Sequence, residues 1–360
     1  MSKTKFLKLV WLLPLTALFL SGCTIGFNTG SGADASLTDG GIYKSLNKGT
    51  LWNQKVLIQT VGSKRSFNTV DIISSTLDPE DSKAIYAGSI GNGLFYSYDG
   101  GEGWQIATGL GKVTVTNVAV DPANKCVIYA TAANKVYKSV DCSRAWAITY
   151  FDNDPAVIIT ALVIDSNNNN NVFIGTSRGE IIKSLDRGAS WQTLNRFESP
   201  VDRIVISPVN AKIIFVGAFA KGIFRTTDGG SSWVNLSDKL KVLDGTGAFR
   251  DLAMVKAEKP TVFLATNFGF IKSADDGETW SKIELIIEKA RIKINAIAIN
   301  PFDTNEIYYV TDTTFYRSLD GGKNWSSNKL PSSRTGFRLL IDPKNPSIIY
   351  LAVKQIPKKK

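Results

Sequence analysis

The 360-residue chain has a formal charge of +10, is 43% hydrophobic and 21% charged, and contains no histidine. This composition describes a globular protein rather than a disordered one, and the missing imidazole excludes a Ser-His-Asp triad, a Cys-His pair and most zinc or haem sites. The three cysteines are too widely spaced for a CxxC motif, so no metal or cofactor is expected.

Residues 1–22 read as an export signal. Lys3, Lys5 and Lys8 precede an apolar run from Leu9 to Leu20, shorter than the roughly 20 residues a helix needs to cross a bilayer. The run ends in Leu20-Ser21-Gly22-Cys23, which is similar to a bacterial lipobox, with cleavage before Cys23 and acylation of its thiol. The alternative is an ordinary cleavage site beside a chance cysteine. Two or more acyl chains, at ~0.8 kcal/mol per buried methylene, give a stable membrane anchor. Residues 23–40, rich in Gly, Ser, Thr and Asn, predict a flexible tether. The chain is therefore expected to be exported and lipid-anchored to a bacterial membrane. Thr24 replaces the Asp that commonly retains such proteins at an inner membrane. By resemblance to sorted lipoproteins, this points to the outer membrane in a two-membrane cell and otherwise to the outer face of the cell membrane.

From Ser45 onward one pattern recurs seven times, Ser/Thr-x-Asp-x-Gly-x-x-Trp, at intervals of 42 to 52 residues. We call it the box. Its acidic position is Asn47, Asp99, Asp141, Asp186, Asp228, Asp275 and Asp320, and it closes on Trp52, Trp104, Trp146, Trp191, Trp233, Trp280 and Trp325. Two copies are degenerate, with Asn47 for Asp and Ser143 for Gly. Asp and Ser side chains in a hairpin turn bond nearby amides, Gly permits positive φ, and Trp packs inward. The box is thus read as structural; calcium ligation or acid catalysis by its Asp is the alternative.

Each box ends a unit of about four short strands, such as Asn117 to Pro122, Ile85 to Gly88 and Gly222 to Arg225, with the fourth strand opening at the Trp. Four strands per repeat predict a propeller blade. The first box lacks its two leading strands, while Arg338 to Pro343 and Ile348 to Ala352 have no box after them. The expected fold is all-β, a seven-bladed propeller over 41–354 whose last blade joins both ends of the chain, followed by a basic tail at 355–360. Closure removes exposed sheet edges.

The repeats resemble the Asp-box, or bacterial-neuraminidase-repeat, propellers, a group that includes sialidases, sortilin-type receptors, xyloglucanases and photosystem II assembly/stability factors. The single-ring assembly factors are most similar in length and location, which implies a scaffold or binding role. A sialidase needs a Tyr-Glu pair, and no Glu neighbours Tyr150 in the sequence. Asp152 and Asp154 are the nearest carboxylate pair for an inverting glycosidase; an Asx turn before Pro155 is the competing reading. A glycan-active enzyme or carbohydrate-binding propeller remains the alternative function.

The face opposite the boxes holds Arg65, Arg178, Arg196, Arg203, Arg250 and Arg338 interleaved with Phe67, Phe197 and Phe337. Arginine with aromatics is the composition of interface hot spots, and arginine also suits anionic groups. An envelope or membrane protein is the expected partner, with an anionic glycan as alternative; no basic run inside the folded part points to nucleic acid. A solvated basic rim is the bland reading. Reversing Arg203, Arg250 and Arg338 together is expected to weaken capture with little loss of stability. Arg203 and Arg338 each stand five residues before a proline, Pro208 and Pro343, which predicts the same ring level. Finally, a three-residue turn at 133–135 sets Cys126 opposite Cys142, which predicts a disulfide in an exported protein; two free buried thiols are the alternative.

Overall fold

The computed structural model describes residues 38–241, 243, 249–256, 260–267, 269–286 and 293–356. The expected export signal, Cys23 and most of the expected tether lie outside them. Among the described residues no helix is long and apolar enough to cross a membrane.

Residues 37–360 form one unit of seven four-stranded antiparallel sheets. In chain order the blades occupy 72–106, 115–151, 159–196, 201–235, 249–283 and 296–329. The seventh sheet places Thr335–Ile341 innermost, then Ile349–Lys354, then the N-terminal Gly41–Ser45 and Asn53–Gln54. Gly41 pairs with Val353 and Ser45 with Ile349, so the two ends of the chain are zipped edge to edge. The first strand of each blade neighbours the first strand of the next, and the last neighbours the first, so these strands line a central channel. Seven apolar clusters fill the spaces between successive blades. Tyr86 and Tyr96 meet Val118 and Ile128 in one such space, and Tyr350 and Ile42 meet Phe95 and Trp104 at the closure.

The repeated turn holds the same hydroxyl and carboxylate bonds in every blade, and the same indole bond in all but the first box, where the Trp52 nitrogen has no partner among the described residues. Where the turn carries Asp99, the Ser97 hydroxyl donates to its carboxylate at 2.7 Å and accepts the Gly101 N–H at 2.9 Å. Asp99 then accepts the Gly103 N–H at 2.9 Å, and the Trp104 indole donates to the Gly101 carbonyl at 3.1 Å. Asn47 makes the matching bonds through its amide oxygen, to Ser45 and to the Leu51 N–H. Such bonds favour the charged carboxylate: the Ser190 side chain and N–H hold Asp186 down at about 2, and the Asn324 N–H and side chain do the same for Asp320. Among the described residues, the N–H at the fourth box position of six blades also donates to the turn between the first two strands, as Gly100 does to Lys83 at 2.9 Å. The boxes and those turns therefore share one face.

The long interval between the first two boxes is an added hairpin, Leu57–Ile58 with Arg65–Ser66. It covers Trp104, whose N–H donates to Leu57 at 2.8 Å, and leaves that indole fully buried where the other box tryptophans stay partly exposed.

Cys126 and Cys142 are joined in a disulfide, but the hairpin between them differs from the expected one. The pairs are Ile128 with Ser139 and Ala132 with Lys135. The turn is therefore two residues, Ala133 and Asn134, with Ala133 at φ 49°. The register slips by one, and Cys142 sits one place beyond the residue opposite Cys126. What brings the cysteines together is the recurring box-to-turn bond, here Cys142 N–H to Cys126 carbonyl at 3.1 Å. The disulfide is a covalent version of a junction that, among the described residues, five other blades make by that hydrogen bond alone.

Candidate functional site

At the face opposite the boxes six of the seven innermost strands enter the channel through an irregularity. Pairing shifts by one residue at Ile73, Thr116, Thr160, Asp202, Arg250 and Phe337. Asn295, just before Ala296–Asn300, takes the seventh place. A bulge re-aims its side chain, and all seven residues line one recess of about 640 Å³ at the channel mouth. It opens into a channel space of about 590 Å³ that shares Asp202, Arg203 and Arg338 with it.

Some of the polar side chains here fasten one blade to the next. The Ser74 hydroxyl donates to the Val115 carbonyl at 3.1 Å and Thr116 to the Ile159 carbonyl at 2.9 Å. Asp251 accepts the Ile297 N–H at 3.0 Å and pairs with Arg203 at 3.0 Å. Asn295 and Thr335 both donate to Asp312 at 2.9 Å, and Lys293 lies 3.2 Å from it.

Other groups are left facing the recess. Arg338 occupies the same register as Arg203, the first paired residue after the bulge. Burial and the neighbouring Arg203 guanidinium bring Arg338 down to about 10, so it is still a cation at neutral pH. Lys354 is also lowered, by burial first and then by Arg338 and Lys293. Burial pushes Asp202 up to about 6, against the pull of Arg338.

The remaining arginines and aromatics named from the sequence lie elsewhere. Arg65 is exposed on the added hairpin and does not line the mouth. Arg178 and Arg196 both hold Glu180, at 2.8 and 3.0 Å, and Arg178 also holds Asp152 at 2.8 Å. Burial pushes the Glu180 carboxyl up, but the bonds from Arg178 and Arg196 override it and keep it below the usual range. Asp152 accepts the Asp154 N–H at 2.9 Å, which is an Asx turn. Phe67 and Phe197 are core residues, a correction to the surface role expected of them. Phe67 stacks on Phe95 and meets Trp104 edge-on, and Phe197 lies tilted against Phe224 and meets Trp233 edge-on. Arg250 donates to Asn267. Arg203 is likewise no free rim residue: reversing it to Glu would set a carboxylate against Asp251, which is 4% exposed. Asp202, Lys293 and Lys354 were not singled out from the sequence. Among the described residues no group of three or more Asp, Glu or Cys is placed to hold a metal ion.

The fold and mouth define a seven-bladed β-propeller with a cationic axial recess. It is similar to sortilin-type and YCF48 propellers. Residues 269–360 match the family model described as Sortilin, neurotensin receptor 3. No curated protein matches the sequence. Among solved structures, YCF48 bound to D1 peptide is 13% identical with a TM-score of 0.60, covering 81% of this chain and 94% of that one. YCF48 from Cyanidioschyzon merolae is 11% identical with a TM-score of 0.59, covering 79% and 95%. The GH74 xyloglucanase from Xanthomonas campestris is 17% identical with a TM-score of 0.61, covering 79% of this chain and 51% of the enzyme. The chain thus spans about half the length of that glycosidase. At these identities the likeness is one of fold.

Proposed function

We propose that the protein is an exported, lipid-tethered binding propeller that takes a segment of another envelope or membrane protein into the mouth opposite its boxes. One observation carries the reading: Arg338 and Lys354 stand in a recess beside Phe337, all three available to a partner. Arginine beside an aromatic ring in a concave, partly desolvated site is what binding hot spots are made of. The YCF48 ring, which this chain resembles in fold, has been solved with a D1 peptide, and that supports a protein segment as the occupant. Asp152, tied into its turn and to Arg178, gives the glycosidase alternative no free carboxylate there.

Capture from solubilised envelopes tests the proposal. The Arg338→Glu, Lys354→Glu double variant is expected to lose the partner by at least about tenfold, the scale of one hot-spot residue. Unchanged capture would overturn the assignment of the mouth, and turnover of xyloglucan or a sialoside by the wild type would restore the enzyme reading. The tether is tested by Cys23→Ala, expected to leave soluble or unprocessed protein; full membrane partitioning of a mature variant would contradict it.

A further inference from the structure

The cations at the mouth are unequally satisfied. Arg203 is bonded to Asp251 and to the Leu252 carbonyl at 3.4 Å, and Lys293 is beside Asp312. Among the described residues no carboxylate lies within ion-pair distance of Arg338 or Lys354. Arg338 makes a single hydrogen bond in that set, to the carbonyl of its neighbour Phe337 at 3.3 Å. A guanidinium carries five N–H donors, so most of its capacity is turned toward the recess. Its carbon lies 4.7 Å from the Phe337 ring centre and the Lys354 ammonium 3.7 Å. The ring thus fixes both heads at one place by cation–π attraction. Like charges held together in a partly dry recess repel each other, and both groups are shifted in the direction that repulsion dictates. An anion entering there relieves that repulsion and fills the open donors at once.

Of the two acids that line the recess, Asp251 is paired with Arg203 and Asp202 is not committed. It projects from its bulge into the same recess, and among the described residues it has neither a hydrogen bond nor an ion pair. It acts on Arg338 through space rather than by contact. Its charge sets a repulsive element against any anion that approaches.

We propose that Arg338 and Lys354, positioned by Phe337, form a binding site for a single oxyanion, a carboxylate or a phosphate group, and that Asp202 opposes its entry. The guanidinium supplies the directional, two-pronged contact to paired oxygens and the ammonium the adjacent point charge. This deepens the partner-binding reading by naming the chemistry of the group that enters the mouth. As a site for a small ion it belongs to the isolated chain, so its test and the capture experiment fail separately.

Isothermal titration of the purified mature chain at low ionic strength, with inorganic phosphate and separately with acetate, tests it. Wild type is expected to bind at one saturable site. Arg338→Gln and Lys354→Met are each expected to weaken binding about tenfold, and Asp202→Asn to tighten it about threefold or more. Saturable acetate binding assigns the site to carboxylates; a response to phosphate alone assigns it to phosphoryl groups. The proposal is overturned if neither anion saturates wild type or Asp202→Asn, or if binding persists undiminished in Lys354→Met and Arg338→Gln. The Asp202→Asn arm keeps the test decisive even where an arginine variant folds poorly, because it requires a gain.

Discussion

Replacing Ser143 by glycine is expected to stabilise the ring. Every box turns through two successive residues of positive φ, and in the second position six boxes carry glycine, from Gly49 at 80° to Gly230 at 104°. Ser143 holds that position at 71°, is 2% exposed, and its hydroxyl has no hydrogen-bond partner among the described residues. The left-handed conformation costs a residue with a Cβ about 1–2 kcal/mol, and an unsatisfied buried hydroxyl costs about 1–3 kcal/mol. Against these stands the extra freedom of glycine in the unfolded chain, about 0.5–1 kcal/mol. The net gain is about 1–4 kcal/mol, a rise in melting temperature of roughly 2–6 °C for a domain of this size. Calorimetry of the oxidised protein reads it directly. The converse change, Gly188→Ser, adds a Cβ at φ 86° that meets the Thr149 hydroxyl at 2.7 Å, and should cost about 1–3 kcal/mol. An unchanged or lowered melting temperature for Ser143→Gly, or a tolerated Gly188→Ser, would refute the strain argument.

Three further outcomes follow from particular contacts. Arg334, whose side chain is 2% exposed, holds Asp39 at 3.4 Å, Asp71, and the Thr69 carbonyl at 3.0 Å across the ring closure; Arg334→Met should cost about 2–3 kcal/mol by removing these charge-assisted bonds, and a urea midpoint equal to wild type would contradict it. Burial raises Asp202 to about 6 from the ordinary 3.8 of a free carboxyl, so its contribution is fully present below 3.8 and is lost as pH rises through 6. Asp202→Asn should therefore stabilise by up to about 2–3 kcal/mol at pH 8 and hardly at all at pH 4; a pH-independent difference in melting temperature would count against this. Reducing the Cys126–Cys142 bridge, which closes a separation of 16 residues, should cost about 3 kcal/mol in the chain-entropy estimate, and thiol counting on denatured, unreduced protein should find neither cysteine free.

The ring itself was legible because its signals are local and repeat. A seven-fold box fixes the blade count, and the strands missing at one end of the chain reappear at the other. What escaped was non-local or lacked a sequence marker. Ala133 takes a left-handed turn position that neither Gly nor Asn announces, so the hairpin register was off by one. Phe67 and Phe197 were counted as loop residues, yet each packs onto the box tryptophan of the blade that follows it in the chain, Trp104 and Trp233. The register shared by Arg203 and Arg338 followed from their distance to Pro208 and Pro343. The Asp251 that occupies Arg203 stands on the next blade, 48 residues away in the chain, and nothing local links the two. The bulges that turn Asp202, Arg250 and Phe337 into the recess come from pairing between strands rather than from the residues themselves. Lys354 lies two residues past the strand read from the sequence, Ile348 to Ala352; its place appears only once Thr335 is set opposite it.

The central claim is that the mouth opposite the boxes meets a protein partner, and photocrosslinking tests it most directly. A benzoylphenylalanine placed at Phe337 in the mouth, and a control at Leu319, an exposed apolar residue in a box, would each be irradiated in the intact envelope. The account predicts a discrete protein adduct from position 337 that disappears when Arg338 and Lys354 are reversed to Glu, and no such adduct from position 319. Adducts from position 319 alone, or an adduct at 337 indifferent to those reversals, would contradict it.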